Sequence, residues 1–452
     1  MSKPTPMSGF PELLPDQRFV ELHVTDRLRQ VFELHGFAPV ETRAVEPLEQ
    51  LLSKGETSKE VYVLRRLQAD AEGSDAGIGL HFDLTVPFAR YVLENAGKLE
   101  FPFRRYQIQK AWRGERPQEG RFREFTQADI DIVGKDTLPF HHDVEVARVM
   151  SEGLAALSDL LPPMRLQVNN RKLIQGFYAG IGAPDPDAVM RVIDKLDKVP
   201  AEVVAKMLVD EAGLDDGQAG QCLQLAAIRS TDGSFVDRVR ALGVHGDLLD
   251  EGLEELAAVV QGCSSVTSDR FVVEADLRIA RGLDYYTGTV FETLMEGFEG
   301  LGSICSGGRY DSLASDGRTT YPGVGISLGI SRMLVPLLAR GLLGADRQVP
   351  SAALVALPDE EARAACDTIA QQLRRNGVPT EVASTPQKFG KQIRYAERRG
   401  IPFVWFPGED GTHQVKDIRS GEQTDADPAT WRPPERDLTP TVTSHRSAEE
   451  TS

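Results

Sequence analysis

Arg281-Gly282-Leu283-Asp284-Tyr285-Tyr286-Thr287-Gly288-Thr289-Val290-Phe291-Glu292 compresses an arginine, an aspartate and two adjacent tyrosines into the six residues 281–286. The β-branched and aromatic run Thr289-Val290-Phe291 that follows reads as a strand. A buried guanidinium needs partners, so such a cluster is costly as structure alone. It suits a small, polar, partly anionic ligand. A charged hairpin corner with a tyrosine pair packed on the core is the plainer alternative.

Strand patterns continue outward from this stretch. Residues 101–133 read as a long antiparallel hairpin, with Phe103 to Trp112 as one arm and Phe122 to Val133 as the other. Its connection, 114–121, is charged and too long for a tight turn, which marks it as a functional loop. Phe271 resumes the strand pattern, and glycines punctuate 300–308 and 323–329. Helical spacing predicts helices over Pro15 to Leu34, Val144 to Leu161 and Met333 to Leu342, while Asp83 to Val92 reads as a strand end entering a helix. Between about 172 and 262, Ala, Leu, Asp and Glu dominate at helical periods, predicting a helical insertion. After a linker at 341–350, strand and helix patterns alternate as a small α/β domain. From about Pro433 the chain is polar and free of aromatics, predicting a disordered tail over 433–452.

The 452 residues carry 51 Lys and Arg against 68 Asp and Glu, for a net charge of −17. That balance argues against nucleic acid only weakly, because screening confines charge effects to about 8–10 Å and local patches decide. No run approaches the roughly 20 apolar residues of a membrane span, and the N-terminus lacks an apolar signal core, so a cytoplasmic protein is expected. The scattered cysteines Cys222, Cys263, Cys305 and Cys366 form no Cys-x-x-Cys pair and support neither a zinc ribbon nor a disulfide framework. They are expected to be buried small hydrophobes.

Phosphate-binding signals are indirect. A P-loop motif is absent, and Gly323-x-Gly325-x-x-x-Gly329 is spaced one residue too long for a dinucleotide fingerprint. Arginines instead gather on strand and loop segments: Arg104, Arg105, Arg113, Arg116, Arg121, Arg123, Arg281, Arg309 and Arg332. Several in one sheet-floored cleft could hold a triphosphate through bidentate contacts. Arg104 and Arg105 are expected to be exposed and salt-bridged instead. Asp83, Asp131 and Asp284, with Gln127, lie among apolar neighbours and suit a ligand bearing an amino group or an imidazole. His141-His142 is not read as a metal site, since adjacent residues on a helix face apart.

These residues resemble those of histidine–tRNA ligases, class II aminoacyl-tRNA synthetases, over roughly 8 to 425. Arg113-Gly114-Glu115 fits class II motif 2. Arg116-Pro117-Gln118 and Gly120-Arg121-Phe122-Arg123-Glu124-Phe125 fit the histidyl form of that loop. The stretch 281–292 and Ser303-Ile304-Cys305-Ser306-Gly307-Gly308-Arg309-Tyr310-Asp311 match the two histidyl signatures, and Leu80 to Phe88 looks like the eukaryotic and archaeal branch. Two departures stand out. Arg43 replaces a proline expected at the dimer interface, and Ser331 replaces the glutamate before the motif 3 arginine, Arg332.

The resemblance implies an α+β fold: an antiparallel class II sheet flanked by helices over 1–340, with the helical insertion, and an anticodon-binding α/β domain over 350–432. It implies ATP with Mg²⁺, L-histidine and histidine tRNA as ligands, a homodimer, and neither membrane nor DNA as partner. Arg113 would bind the α-phosphate, Phe125 and Arg332 the two adenine faces, and Arg121 the outer phosphates. Arg332 would also reach the γ-phosphate. Asp83 and Thr85 would hold the histidine amino group, Gln127 and Asp131 would face the substrate, and Tyr285 and Tyr286 would line the imidazole pocket. Arg281 would be a further catalytic arginine. Gln118, Lys388, Lys391 and Arg394 would meet tRNA, although the run from Lys388 to Arg399 also reads as an exposed amphipathic face. No segment calls for an editing domain. The resemblance leaves two other readings: an inactive regulatory or tRNA-sensing relative, and a paralogue that ligates histidine to another acceptor.

Overall fold

Along Glu124–Val133, Gln127, Asp129 and Asp131 alternate with Ala128, Ile130 and Ile132. A strand sends successive side chains to opposite faces, so this segment puts polar groups on one side of a sheet and apolar groups on the other. The computed structural model describes residues 4–52, 60–66, 77–279, 286–408 and 411–445. The chain divides into one unit of Met1–Pro11 with Val24–Pro336 and another of Glu12–His23 with Leu337–Ser452.

The first unit is built on a nine-stranded sheet. In spatial order it runs β1 (Ala38–Pro39), β4 (Phe103–Trp112), β5 (Glu124–Val133), β11 (Thr320–Gly329), β10 (Cys305–Ser315), β9 (Thr289–Met295), β6 (Met164–Asn170), β8 (Phe271–Asp276) and β7 (Arg229–Ser230). A short pair, β2 (Val45–Pro47) and β3 (Ile78–Leu80), stands apart. The large sheet is mixed rather than wholly antiparallel: β1 with β4, and β6 with β8, pair in parallel. The expected hairpin is present as β4 and β5, paired from Phe103↔Val133 to Trp112↔Glu124.

The helices are α1 (Pro15–Leu34), α2 (Leu48–Leu52), α3 (Thr85–Asn95) and α4 (His141–Ala155), then α5 (Arg171–Gly180), α6 (Pro186–Ile193), α7 (Ala201–Asp210), α8 (Asp216–Ala226), α9 (Phe235–Arg240) and α10 (Asp247–Gly262), then α11 (Ile330–Ala339). The segment 172–262 is helical apart from β7 and one 3-10 turn. α4 lies against β5, β11 and β8, and it covers the sheet face that carries Ala128, Ile130 and Ile132. Two ion pairs tie that face to α4. Arg104 Nε meets Glu145 Oε1 at 2.8 Å, and Arg309 Nη1 meets Asp143 Oδ2 at 2.7 Å. Arg309, a sequence candidate for the cleft, therefore serves the opposite face. Burial chiefly pushes the Asp143 carboxyl up to about 6, against the pull of Arg309.

The second unit holds a five-stranded sheet, β14 (Thr380–Val382), β13 (Ala353–Val355), β15 (Phe403–Pro407), β16 (His413–Asp417) and β17 (Gln423–Asp425). The helices α12 (Arg363–Arg375) and α13 (Phe389–Arg399) accompany it, and α13 ends on Gly400 in the left-handed conformation that glycine favours. The stretch beyond Pro433, expected to be disordered, is folded as far as it is described. There β18 (Val442–Ser444) pairs with β12 (Leu343–Ala345), Leu438 is buried, and Asp437 binds Arg419 at 2.7 Å. Low aromatic content misled because this segment is tied down by strand pairing, one buried leucine and an ion pair, which composition does not show. Residues 446–452 lie outside the described range.

Candidate active site

Strand register builds a polar floor on the sheet face opposite α4. The cross-strand partners run Gln107↔Asp129↔Ser327↔Ser306↔Glu292↔Gln167↔Glu274, one from each of seven strands. A neighbouring row runs Arg105↔Asp131↔Gly325↔Gly308. Each glycine there makes room for a functional side chain. A Cβ on Gly325 would lie 2.0 Å from Asp131 Oδ1, one on Gly308 would lie 2.6 Å from the Tyr286 ring, and one on Gly323 would lie 2.4 Å from the Tyr310 ring. The spaced glycines of β11 thus admit pocket side chains across strands and do not form a phosphate-binding loop.

At one end of this floor sits a buried acid cluster. Tyr310 Oη donates to Asp131 Oδ1 at 2.8 Å, and Arg105 Nη2 meets Asp131 Oδ2 at 2.6 Å as an ion pair without an aligned N–H. Arg105 is fully buried, donates to Gln107 Oε1 at 3.2 Å and lies 4.2 Å over the Phe88 ring. The expectation that Arg105 would be exposed is therefore wrong, whereas Arg104 is half-buried in its ion pair. A long charged side chain is buried only with partners, and its partners Asp131 and Phe88 come from other segments. Asp129, beside Asp131 on the same face, is pushed up to about 7, first by burial and then by Asp131 and Asp83, with Arg105 opposing. Burial, followed by Asp131, Asp129 and Asp83, also holds the Tyr286 phenol above its ordinary range. Tyr286 thus stays neutral and able to donate a hydrogen bond.

At the other end, guanidinium groups converge. Arg113 Nε donates to Phe82 O at 3.0 Å, and its Cζ stands 5.0 Å over the Phe125 ring. Arg332 donates to Gly120 O at 3.0 Å and to Ser303 O at 2.7 Å. Burial first, and then the charges of Arg113 and Arg121, push Arg332 below the usual guanidinium range, with Glu115 opposing. Arg121 is exposed and lies 3.5 Å from Glu115 Oε2. Three mutually repelling cations at one wall constitute a site for an anion. Ser331, standing where a glutamate was expected, accepts from Thr126 N at 2.8 Å and so ties the start of α11 to β5. Arg43 sits 3.2 Å from Glu46.

Of the sequence candidates, Asp83, Thr85, Arg113, Arg121, Phe125, Gln127, Tyr286 and Arg332 line one cleft of about 200 Å³. Asp131 lines a small adjoining pocket that shares Thr85 and Tyr286 with it. Gln118 lies in a wider opening of about 1000 Å³ that shares Arg113, Arg121 and Arg332. Arg281, Asp284 and Tyr285 fall outside the described residues. Lys388, Lys391 and Arg394 are exposed at the start and on the surface of α13 in the second unit. His142 Nδ1 lies 2.8 Å from Glu145 Oε2. All four cysteines are buried and unbridged. Sequence reasoning missed Arg105, Asp129, Tyr310 and Ser327 as members of the site. The period of two along β5 could have found Asp129, which shares a face with Gln127 and Asp131.

A sequence model described as histidyl-tRNA synthetase matches residues 9–333. The chain belongs to the histidyl-tRNA synthetase family. A second model, described as an anticodon binding domain, matches 351–429. The chain is 59% identical to the histidine–tRNA ligase of Cutibacterium acnes, over 98% of this chain and 99% of the relative. It is 56% identical to that of Micrococcus luteus, with the same coverage. A crystal structure of histidyl-tRNA synthetase from Nostoc sp. PCC 7120 superposes with a TM-score of 0.83 at 34% identity, covering 94% of this chain and 97% of that one. These relatives are bacterial, which overturns the eukaryotic and archaeal placement suggested by Leu80 to Phe88. Nine residues around a binding pocket reflect what the pocket must hold, and identity over the whole chain outweighs them.

Proposed function

We propose that the chain activates L-histidine with ATP and transfers it to the 3′ end of histidine tRNA. The carrying observation is a cleft with three guanidiniums, Arg113, Arg121 and Arg332, at one end and Asp83 with Gln127 at the other, adjoined there by a small pocket lined by Asp129 and Asp131. A phosphate chain suits the first end and an amino acid bearing an ammonium and an imidazole suits the second.

In the first step the histidine carboxylate attacks the α-phosphorus of ATP in line and pyrophosphate leaves, giving histidyl-adenylate. The carboxylate is already ionised at neutral pH, so no base is needed, and catalysis is positioning plus charge stabilisation. Arg113 takes the α-phosphate. Phe125 and Arg332 hold the adenine between them, and Arg332 with Arg121 meets the outer phosphates. Asp83, Thr85 and Gln127 hold the ammonium. Asp131, Tyr285, Tyr286 and Tyr310 meet the imidazole, and Arg281 faces the reacting carboxylate and phosphate. Hydrogen-bonding both imidazole nitrogens rejects apolar analogues by about 10⁴ without editing. In the second step the terminal ribose hydroxyl attacks the adenylate carbonyl and AMP leaves.

Among the described residues no three acid, His or Cys side chains gather around a metal position. Glu115 lines the cleft 3.5 Å from Arg121, so it is an acid that would hold Mg²⁺ carried on the triphosphate. Bound there, the ion would neutralise charge on the departing pyrophosphate. Lys388, Lys391 and Arg394 would contact tRNA phosphates, which fix position rather than sequence, and Gln118 would reach the acceptor end. The enzyme acts as a homodimer, with domains over 1–340 and 350–432. Among the described residues no helix is long and apolar enough to cross a membrane.

Histidine-dependent exchange of pyrophosphate into ATP, followed by charging of transcribed histidine tRNA, tests this reading. Exchange without charging would favour a different acceptor, and neither activity would leave a regulatory relative. Arg281→Ala should lower exchange by about 10² or more, the effect of removing one strong transition-state donor; near-normal exchange would refute its role.

A further inference from the structure

Gln127 is held from one side only. Its Nε2 donates to Ser327 Oγ at 2.8 Å, and Ser327 Oγ in turn donates to Asp129 Oδ1. Its Oε1 is buried and has no hydrogen-bond partner among the described residues. A serine hydroxyl owns one proton, and an ionised carboxylate can only accept. While Asp129 is ionised, the Ser327 proton is committed to it. The Ser327 lone pairs must then accept from the Gln127 NH₂ group, which leaves Oε1 as the amide end that Ser327 does not engage, on a side chain that lines the cleft. An unsatisfied buried carbonyl is costly, and it becomes favourable when a ligand N–H arrives.

We infer that Asp129 is a positioning residue: through Ser327 it fixes which way the Gln127 amide faces, and so presents Oε1 to the substrate ammonium. This rests on the histidine-activation reading above and adds the device that orients its acceptor. When Asp129 is protonated it can donate to Ser327, Ser327 can donate to Gln127, and the amide is free to present NH₂ to a cation instead. The charged and titratable groups facing Asp129 are Arg105 of β4, with Nη2 at 3.9 Å, Asp131 of β5, Asp83 ahead of α3, Cys305 of β10 and Tyr286. Asp131 has Arg105 at 2.6 Å and the Tyr310 hydroxyl as close partners. Burial pushes the Asp129 carboxyl up to about 7, so its charge changes near neutral pH.

The experiment measures histidine and ATP KM by pyrophosphate exchange at pH 8 for the full-length wild type, Asp129→Asn, Ser327→Ala and the double variant. Ser327→Ala should raise histidine KM about tenfold or more, with ATP KM within about twofold, the size of one misdirected hydrogen bond to a charged group; Asp129→Asn, whose amide can accept from Ser327 or donate to it, should raise histidine KM less. The double variant should be no worse than the worse single one, since both break the same chain. Ser327→Ala removes one oxygen and carries the test if Asp129→Asn does not fold. The ratio of histidine KM between Ser327→Ala and wild type should shrink as pH falls from 8 to 6, because protonating Asp129 already disables the relay. The substrate's own imidazole titration cancels in that ratio. A ratio constant with pH, equal effects on ATP and histidine, or multiplying effects in the double variant would each overturn the relay. If the wild type itself shows no histidine-dependent exchange, the activation reading falls and the relay with it; if the wild type is active and the variants keep its histidine KM, the relay alone falls.

Discussion

Replacing Arg105 with methionine keeps most of the buried volume and deletes the charge. The fully buried guanidinium lies 2.6 Å from Asp131 Oδ2 and 4.2 Å over Phe88. Breaking a buried pair by removing one partner costs about 3–5 kcal/mol, because a buried charge is left uncompensated. That cost has a ceiling, since Asp131 can take up a proton instead. Keeping an aspartate protonated costs about 1.4 kcal/mol for each pH unit above about 3.9, hence about 5 kcal/mol at pH 7.5 and about 2 kcal/mol at pH 5.5. Losing the contact with Phe88 adds about 2 kcal/mol at any pH. The destabilisation of Arg105→Met should therefore shrink by about 1–3 kcal/mol between pH 7.5 and pH 5.5. Urea unfolding can read this in the first unit from Trp112, which ends β4, once Trp405 and Trp431 are replaced by phenylalanine. Equal destabilisation at the two pH values would show that Arg105 does not hold the Asp131 charge.

Phe125→Ala should raise ATP KM about tenfold, as expected for losing one base–aromatic stack, with a smaller rise for histidine; the reverse order in pyrophosphate exchange would refute adenine stacking. Asp129 is raised to about 7, mainly by burial, so its stabilising contribution is present below about 3.9 and is lost as pH rises through about 7. The Asp129→Asn chain does not titrate there and should gain stability relative to wild type between pH 5 and 8 in thermal melts; a constant or shrinking gap would contradict that sign. Ending the chain at Arg432 removes β18, the Asp437 partner of Arg419 and the buried Leu438. It should lower the Tm of the second unit, by an amount reflecting at least the roughly 2 kcal/mol of one buried leucine. An unchanged melt would mean the tail is not part of that fold.

The glycine-punctuated strands, the hairpin over 103–133 and the helical stretch 172–262 were legible in the sequence because they rest on local periodicity. The arginines and acids of the cleft were legible as residue types, and the resemblance ordered them. Register was not: that Gln107, Asp129, Ser327 and Ser306 share one row is a pairing between segments up to about two hundred residues apart, and no local pattern encodes it. The same blindness made Arg105 look exposed, Arg309 look like a cleft residue and the segment after Pro433 look disordered. Sequence alone determined which side chains could bind an anion and an amine, because that is fixed by their chemistry. Tertiary structure decided which of them meet, which are buried and which proton each hydrogen bond uses, because burial and partnership depend on strands brought together by folding.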